Sequence, residues 1–343
     1  MSMAEQLPQP QPPGCDQRVG EPVLRSGLLR SVPEDFQVVE RLGFEPDGEG
    51  AHRLLRVRKV DCNTNWAASR LARMLEVSAR DVGYSGLKDR RAVTEQWFSV
   101  PAHATGTIDD DALAQDGLTV LEMSGHNRKL RRGTHRANGF RIVIRAADAD
   151  PAALDERLDA ISSGGVPNYF GLQRFGRGGN NLRMAESLAS GRRLRRRDRG
   201  FALSAARALI FNAILSRRIA EGSWNRLLPG DVAGLAGSRS HFQVETVDAE
   251  LEDRLERQDV HPTGPLWGRG SPDTAAEVRM MEADVAAEHL ALSGMLEVEG
   301  LEQARRPLRL GVEGLEWSRE GDALILSFEL EAGGFATSVL AAL

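Results

Sequence analysis

Residues 83–100 read GYSGLKDRRAVTEQWFSV. The stretch opens on small, turn-prone residues, sets Lys88, Asp89, Arg90 and Arg91 side by side, and closes on an alternating run with two aromatics. That alternation predicts a strand over Glu95–Val100, with a short strand at Val82–Ser85 and a turn between them. Asp89 is then a carboxylate among three cations where a turn enters a sheet. Nearby positive charge favours the ionised form of an acid, which suits a nucleophile or base better than a proton donor. A structural turn with an internal ion pair has the same residue types. In either case Arg90 or Arg91 is the expected partner of Asp89.

Outward from this stretch the first 145 residues read as strands with few helices. Phe36–Arg41, Arg53–Lys59, Leu118–Met123 and Phe140–Arg145 all alternate apolar and polar residues. Asn63 or Thr64 can cap a helix that gathers Trp66, Ala67, Leu71, Met74 and Leu75 on one face. After Asp150 the texture changes. A helix is expected from Pro151 to about Ile161, then a Gly/Asn/Arg loop over 164–181, then helices over Leu203–Ile219 and Ala275–Leu292. His289, at the end of the last of these, reads as a surface or capping residue. Strand character returns at Ala323–Leu330, and Thr337 or Ser338 can start a terminal helix. The pattern predicts an α+β fold in which a late strand rejoins the first sheet and the helical section is an insertion.

A chain of 343 residues exceeds one ordinary core. No apolar run is long enough to span a membrane. The N-terminus, MSMAEQLPQPQPPGCDQ, lacks the pattern of a secretory signal and reads as a flexible Pro/Gln-rich tail over residues 1–22. With only Cys15 and Cys62, neither a disulfide framework nor a cysteine metal site is expected, and a cytoplasmic protein fits. The net charge of −5 hides a strong asymmetry. Residues 125–199 hold seventeen Lys/Arg against seven Asp/Glu, a balance of +10, which leaves −15 for the remainder. A basic surface for a polyanion is the natural inference.

Several chemistries are disfavoured. FGRGGNN (175–181) is glycine-rich but lacks the GxxxxGK[ST] pattern of a nucleotide-phosphate loop. Its backbone amides, with Arg174 and Arg177, could instead meet RNA phosphates. The seven histidines show no metal-ligand spacing, and no GxSxG elbow exists. The acidic run Asp109–Asp111 reads as a helix cap. A carboxylate hydrolase would need a second acid at a defined partner position, and none stands out. Phe36, Phe140 and Phe335 lie beside polar or glycine residues, and each could stack on a base or simply fill a core. Asn138 can both donate to and accept from a pyrimidine edge.

Seven blocks together resemble the TruD family of tRNA pseudouridine synthases. They are PEDFQVVERLGFEPDGEGAH, RKVDCNTNWAASRLAR, GLKDRRAVTEQWF, NRKLRRGTHRANGFRI, NYFGLQRFGRGGNNL, DVHPTGPLWG and GGFATSVL, in the family's order from Val32 to Leu340. Two flanking positions depart from the usual pattern: Arg91, where relatives often carry histidine, and Leu172, where many carry an acid. The resemblance implies a pseudouridine synthase catalytic domain over 23–163 and 312–343, with a mixed or antiparallel sheet, interrupted by a mostly helical TRUD domain over 164–311. It implies isomerisation of a uridine at position 13, in the D arm of tRNA, without cofactor or metal, by a cytoplasmic protein expected to be monomeric. The reacting acid would be Asp89. The substrate pocket would hold Phe36, Asn138 and Phe335, with Phe140 and Lys88 shaping it. The target base would be flipped out of its stack. Arg128, Lys129, Arg131, Arg132, Arg174 and Arg177 would contact phosphates. A non-catalytic RNA-binding protein or RNA chaperone on the same fold is the alternative.

Overall fold

The first half of the chain forms strands β1 (Glu5–Leu7), β2 (Leu24–Leu29), β3 (Phe36–Leu42), β4 (His52–Val60), β5 (Gly83–Tyr84), β6 (Val93–Pro101), β7 (Leu118–His126) and β8 (His135–Ala149). In the computed structural model, which describes residues 4–343, these belong to one compact unit. Of the described residues it comprises 4–8, Leu24–Leu154 and Val312–Gly333. A second unit comprises Gln9–Val23, Asp155–Gly311 and Gly334–Leu343.

The sheet of the first unit runs β1-β2-β8-β3-β6-β4-β7, and β5 adds to β6. The hairpin Glu313–Glu320/Ala323–Glu331 joins it through Ala323–Glu331, which pairs with β8. It is a mixed sheet: β3 and β6 are parallel, and the other pairings are antiparallel. The long strand β8 is the organiser. Leu324 and Leu29 flank Ile144 from opposite sides, so β2 and β3 lie end to end along the other edge of β8. Between them residues 30–35 leave the ladder. Arg30 takes a left-handed φ of 56°, and Pro33–Asp35 makes a single 3-10 turn. Asp35 fixes this excursion, because its buried carboxylate accepts a two-pronged hydrogen bond from Arg145 and one from the Val32 amide.

Directly paired residues share a face of a sheet. The pairs Glu40–Asn138, Val38–Phe140, Phe328–Phe140 and Lys59–Thr94 therefore mark one face. Helix α1 (Thr64–Met74), capped by the Asn63 side chain on Trp66 N, packs on that face. There Ala67, Ala68, Leu71 and Ala72 meet Leu55, Val57, Phe98 and Leu118 in a dry cluster. Trp66, expected on the apolar stripe, is instead 43% exposed.

The second unit is built on helix Arg196–Ala220. One flank, Ala202, Ala206, Ile210 and Ile214, meets Trp267, Leu292 and Leu296. The other, Ala205, Ala208, Phe211 and Leu215, meets Phe170, Phe175 and Trp224. A four-stranded sheet that the helical reading missed accompanies these helices, in the order 241–243, 232–235, 260–266, 304–307. The helix expected over Ala275–Leu292 is two, Ala276–Glu288 and Leu290–Val298. They break at His289, whose φ/ψ of −113°/35° is not helical. The stretch expected as a free tail carries structure. Glu5–Leu7 pairs with β2, Cys15 is buried, and Asn212 donates to Pro13 O while Ser216 Oγ accepts from Asp16 N. Pro-rich composition lowers helix and strand propensity, but it does not prevent docking through side chains and carbonyls.

His261 in this unit is buried and accepts from Arg309 Nε at 3.0 Å. Burial, reinforced by the Arg309 charge, pushes its imidazole down to about 4. Between the ordinary value of 6.5 and about 4 the unfolded chain binds the proton and the folded chain does not. The stability linked to this histidine is therefore complete above pH 6.5 and lost as pH falls through that window, by roughly 3 kcal/mol. Chemical denaturation of wild type and His261→Gln, which keeps an acceptor for Arg309, should show a shallower acid loss in the variant. Equal slopes would refute the assignment.

Candidate active site

The loop that carries Asp89 is fixed through its backbone. Thr64 Oγ1 accepts from Lys88 N at 3.0 Å and donates to Gln96 Oε1, and Gln96 Nε2 donates to Gly86 O. Lys59 Nζ donates to Cys62 O at 2.8 Å and lies 3.4 Å from Asp89 O. Burial pushes the Lys59 ammonium down to about 8. Gly83 admits this path: a Cβ there would fall 2.4 Å from Leu130 O and 2.5 Å from Ser99 Oγ. With its backbone held from below, the loop leaves the Asp89 side chain 45% exposed.

The partner of Asp89 is Arg30. Its NH2 donates to Asp89 Oδ2 at 2.7 Å, and its NH1 donates to Glu5 Oε1 at 2.8 Å. The guanidinium is buried and lies 4.0 Å above the Phe36 ring. This corrects the expectation that Arg90 or Arg91 holds the acid. Arg90 faces Asp61 at 3.4 Å, and Arg91 NH2 donates to Ser31 O. Arg30 reaches Asp89 because the excursion between β2 and β3 lifts it over the end of β3.

Beside this pair lies a second polar group. Lys88 Nζ is 2.8 Å from Glu40 Oε2 and donates to Asn138 Oδ1 at 2.7 Å. Glu40 Oε1 also accepts from Trp97 N at 3.2 Å. Burial pushes the Glu40 carboxyl up, against the opposing pull of Lys88. Asn138 Nδ2 lies 3.3 Å from His135 Nε2. Phe140 meets Phe36 edge-on at 6.2 Å and stacks with Phe328 at 5.3 Å.

Asp89, Lys88, Asn138, Phe36 and Phe140 thus belong to one region of the first unit. Phe36 is only 2% exposed, so it seats Arg30. Phe335 lies in the second unit, as the residue preceding helix Ala336–Leu340, and is 40% exposed. Of the basic residues, Arg128, Arg131, Arg132 and Arg177 are exposed. Lys129 is tied to Arg80 O at 2.6 Å, and Arg174 packs on Phe170 and donates to Ser204 Oγ. Among the described residues no group of His, Cys, Asp and Glu is placed to hold a metal ion, and no helix is long and apolar enough to cross a membrane.

Four members of the site escaped the sequence reading: Arg30, Glu40, Lys59 and His135. Two left a signal. Lys59 follows Leu55 and Val57, and Glu40 follows Phe36 and Val38, each at a buried parity of its strand. A charge at such a position is costly unless it is paired or functional.

Comparison with solved structures settles the class first. A crystal structure from Methanosarcina mazei, described as a candidate tRNA pseudouridine synthase D, matches with a TM-score of 0.71 at 23% identity. The match covers 97% of this chain and 95% of that one, so the fold is a pseudouridine synthase fold. The family model for tRNA pseudouridine synthase D (TruD) matches residues 24–194 and 185–343. Curated proteins named tRNA pseudouridine synthase D are similar over nearly their whole length. The one from Chromohalobacter salexigens is 47% identical, covering 96% of this chain and 95% of its own. The one from Methylococcus capsulatus is 44% identical at the same coverage. The one from Pseudomonas aeruginosa is 46% identical over 91% of this chain and 89% of its own. The chain belongs to the TruD family.

Removing one partner of a buried ion pair leaves the other charge uncompensated, at a cost of about 3 kcal/mol or more. Glu40→Gln should lower unfolding free energy by that order, and adding Lys88→Met should recover part of the loss. Strict additivity in the double-mutant cycle would contradict a direct Glu40–Lys88 coupling.

Proposed function

We propose that this chain converts a uridine of tRNA, at position 13 in the D arm, to pseudouridine, with Asp89 as the reacting acid. The observation that carries the reading is the Arg30–Asp89 ion pair, with its half-exposed carboxylate, beside the part-buried Lys88–Asn138 hydrogen bond. Membership of the TruD family supports the same reaction. The target nucleotide leaves its stack, and Asn138 meets the Watson–Crick edge of the base. Phe140 contributes apolar surface to its pocket, and Phe36 supports Arg30.

The reaction is an isomerisation and needs no net redox change. Asp89 either attacks C1′ or removes the C2′ proton toward a glycal, and in both routes the N1–C1′ bond breaks. The uracil turns and C5 bonds to C1′, with the Asp89–C1′ ester bond breaking in the first route and the proton returning from Asp89 to C2′ in the second; the C5 proton is then lost and N1 ends protonated. Arg30 positions Asp89 and offsets its charge throughout. Lys59 holds the Asp89 backbone. Residues 23–163 and 312–343 serve as the catalytic domain, and residues 164–311 serve as the inserted domain. Arg128, Lys129, Arg131, Arg132, Arg174 and Arg177 are the phosphate contacts, which position the RNA rather than read it. The protein works as a cytoplasmic monomer without cofactor or metal.

Unmodified tRNA incubated with wild type should acquire pseudouridine at position 13, detected chemically. Asp89→Asn should lower the rate by at least about a thousandfold while tRNA binding persists. Product from Asp89→Asn at the wild-type rate would remove Asp89 from the reaction. Binding without product by wild type would favour the RNA chaperone reading.

A further inference from the structure

Asn138 is useful for recognising a pyrimidine only if its amide points one way. The two ends of a carboxamide differ little in shape and oppositely in hydrogen bonding: the oxygen accepts and the nitrogen donates. Two neighbours set the direction here. Lys88 Nζ, a pure donor, lies 2.7 Å from Oδ1, and its own charge is anchored on Glu40 at 2.8 Å. His135 Nε2 lies 3.3 Å from Nδ2.

The placement of His135 is itself a product of the fold. Residues three apart in a regular strand point to opposite faces. In β8 the register slips by one residue, since Arg41 pairs with Ala137 but Leu42 with His135. A bulge of this kind reverses parity, and it brings His135 onto the face of Asn138. Burial, with the Lys88 charge adding to it, pushes the imidazole down to about 4, so the ring is neutral at physiological pH. A neutral ring that offers a lone pair at Nε2 carries its proton on Nδ1.

We propose that His135 is a specificity-determining positioning residue, whose Nε2 lone pair works with the Lys88 ammonium to lock the Asn138 amide for uracil and against cytosine. In the locked orientation Oδ1 keeps one lone pair and Nδ2 one hydrogen for the base. Uracil meets them with N3–H and a ring carbonyl. Cytosine brings an N3 lone pair against Oδ1 and is rejected. The flipped amide, which would accept cytosine, sets Nδ2 against the Lys88 ammonium and Oδ1 against the His135 lone pair. The inference rests on the proposed contact between Asn138 and the base.

The test separates the two. Asp89→Asn protein should bind tRNA with turnover slowed at least about a thousandfold, so its affinities for transcripts carrying uridine or cytidine at the target position can be compared. The uridine transcript should bind about tenfold more tightly, the usual scale for one mismatched buried hydrogen bond. Adding His135→Leu, which keeps volume but has no acceptor, should bring the ratio close to one. Adding His135→Gln, whose carbonyl reaches the place of Nε2, should preserve it. His135→Ala provides the same comparison if the leucine variant does not fold. A full uridine preference in the leucine and alanine variants would overturn the inference, as would no preference in the Asp89→Asn parent. If wild type binds with the uridine preference yet makes no pseudouridine, the reaction assignment falls and the role of His135 stands.

Discussion

The contact between Arg30 and Asp89 joins residues 59 positions apart, and much of the first unit exists to make it. Asp89 sits on a loop entering β6, and Arg30 sits where the chain leaves β2. They meet because β2 and β3 share one edge of β8, and the six residues between them have nowhere to pair. Asp35 closes that excursion on Arg145, and Glu5 takes the second fork of Arg30. A planar guanidinium can hold two carboxylates and lie on an aromatic face at once, which a lysine cannot do. The pair costs desolvation on the arginine side only, because Asp89 keeps access to solvent.

The rest of the site uses the sheet face that elsewhere forms the core. Along β4 the inward series runs Leu55, Val57, Lys59; along β3 it runs Phe36, Val38, Glu40. Each strand therefore passes from dry packing to buried charge without changing face. Such charges are stable only with complete partners: Glu40 with Lys88 and the Trp97 amide, Lys59 with two carbonyls. Helix α1 does double duty. Its apolar stripe closes the cluster around Leu71, and its first residue, Thr64, holds the Lys88 amide and Gln96. Core packing and site geometry are consequently hard to change separately.

Much of the fold was legible because alternation and capping are local signals. The α1 cap at Asn63 and the central strands appear where the sequence places them. What escaped was long-range. The short strand β2 has no clear alternation, and it is defined by pairing with β8. The break at His289 depends on a backbone angle that helical periodicity does not encode. At the site, Asp89 is visible as an acid among cations, but adjacency points to Arg90 or Arg91 as its partner where topology supplies Arg30. Glu40 and Lys59 could have been suspected from their parity. His135 could not, since a one-residue bulge decides the face it occupies.

If the Arg30–Asp89 pair is the reacting centre, its arginine should matter for chemistry more than for RNA binding. The direct measurement is single-turnover release of tritium from C5 of labelled uridine in tRNA, comparing wild type with Arg30→Met. The expected result is a rate lowered by about a hundredfold or more, with tRNA affinity changed by less than about threefold. Wild-type tritium release from a folded Arg30→Met protein would contradict the pairing as the basis of the reaction.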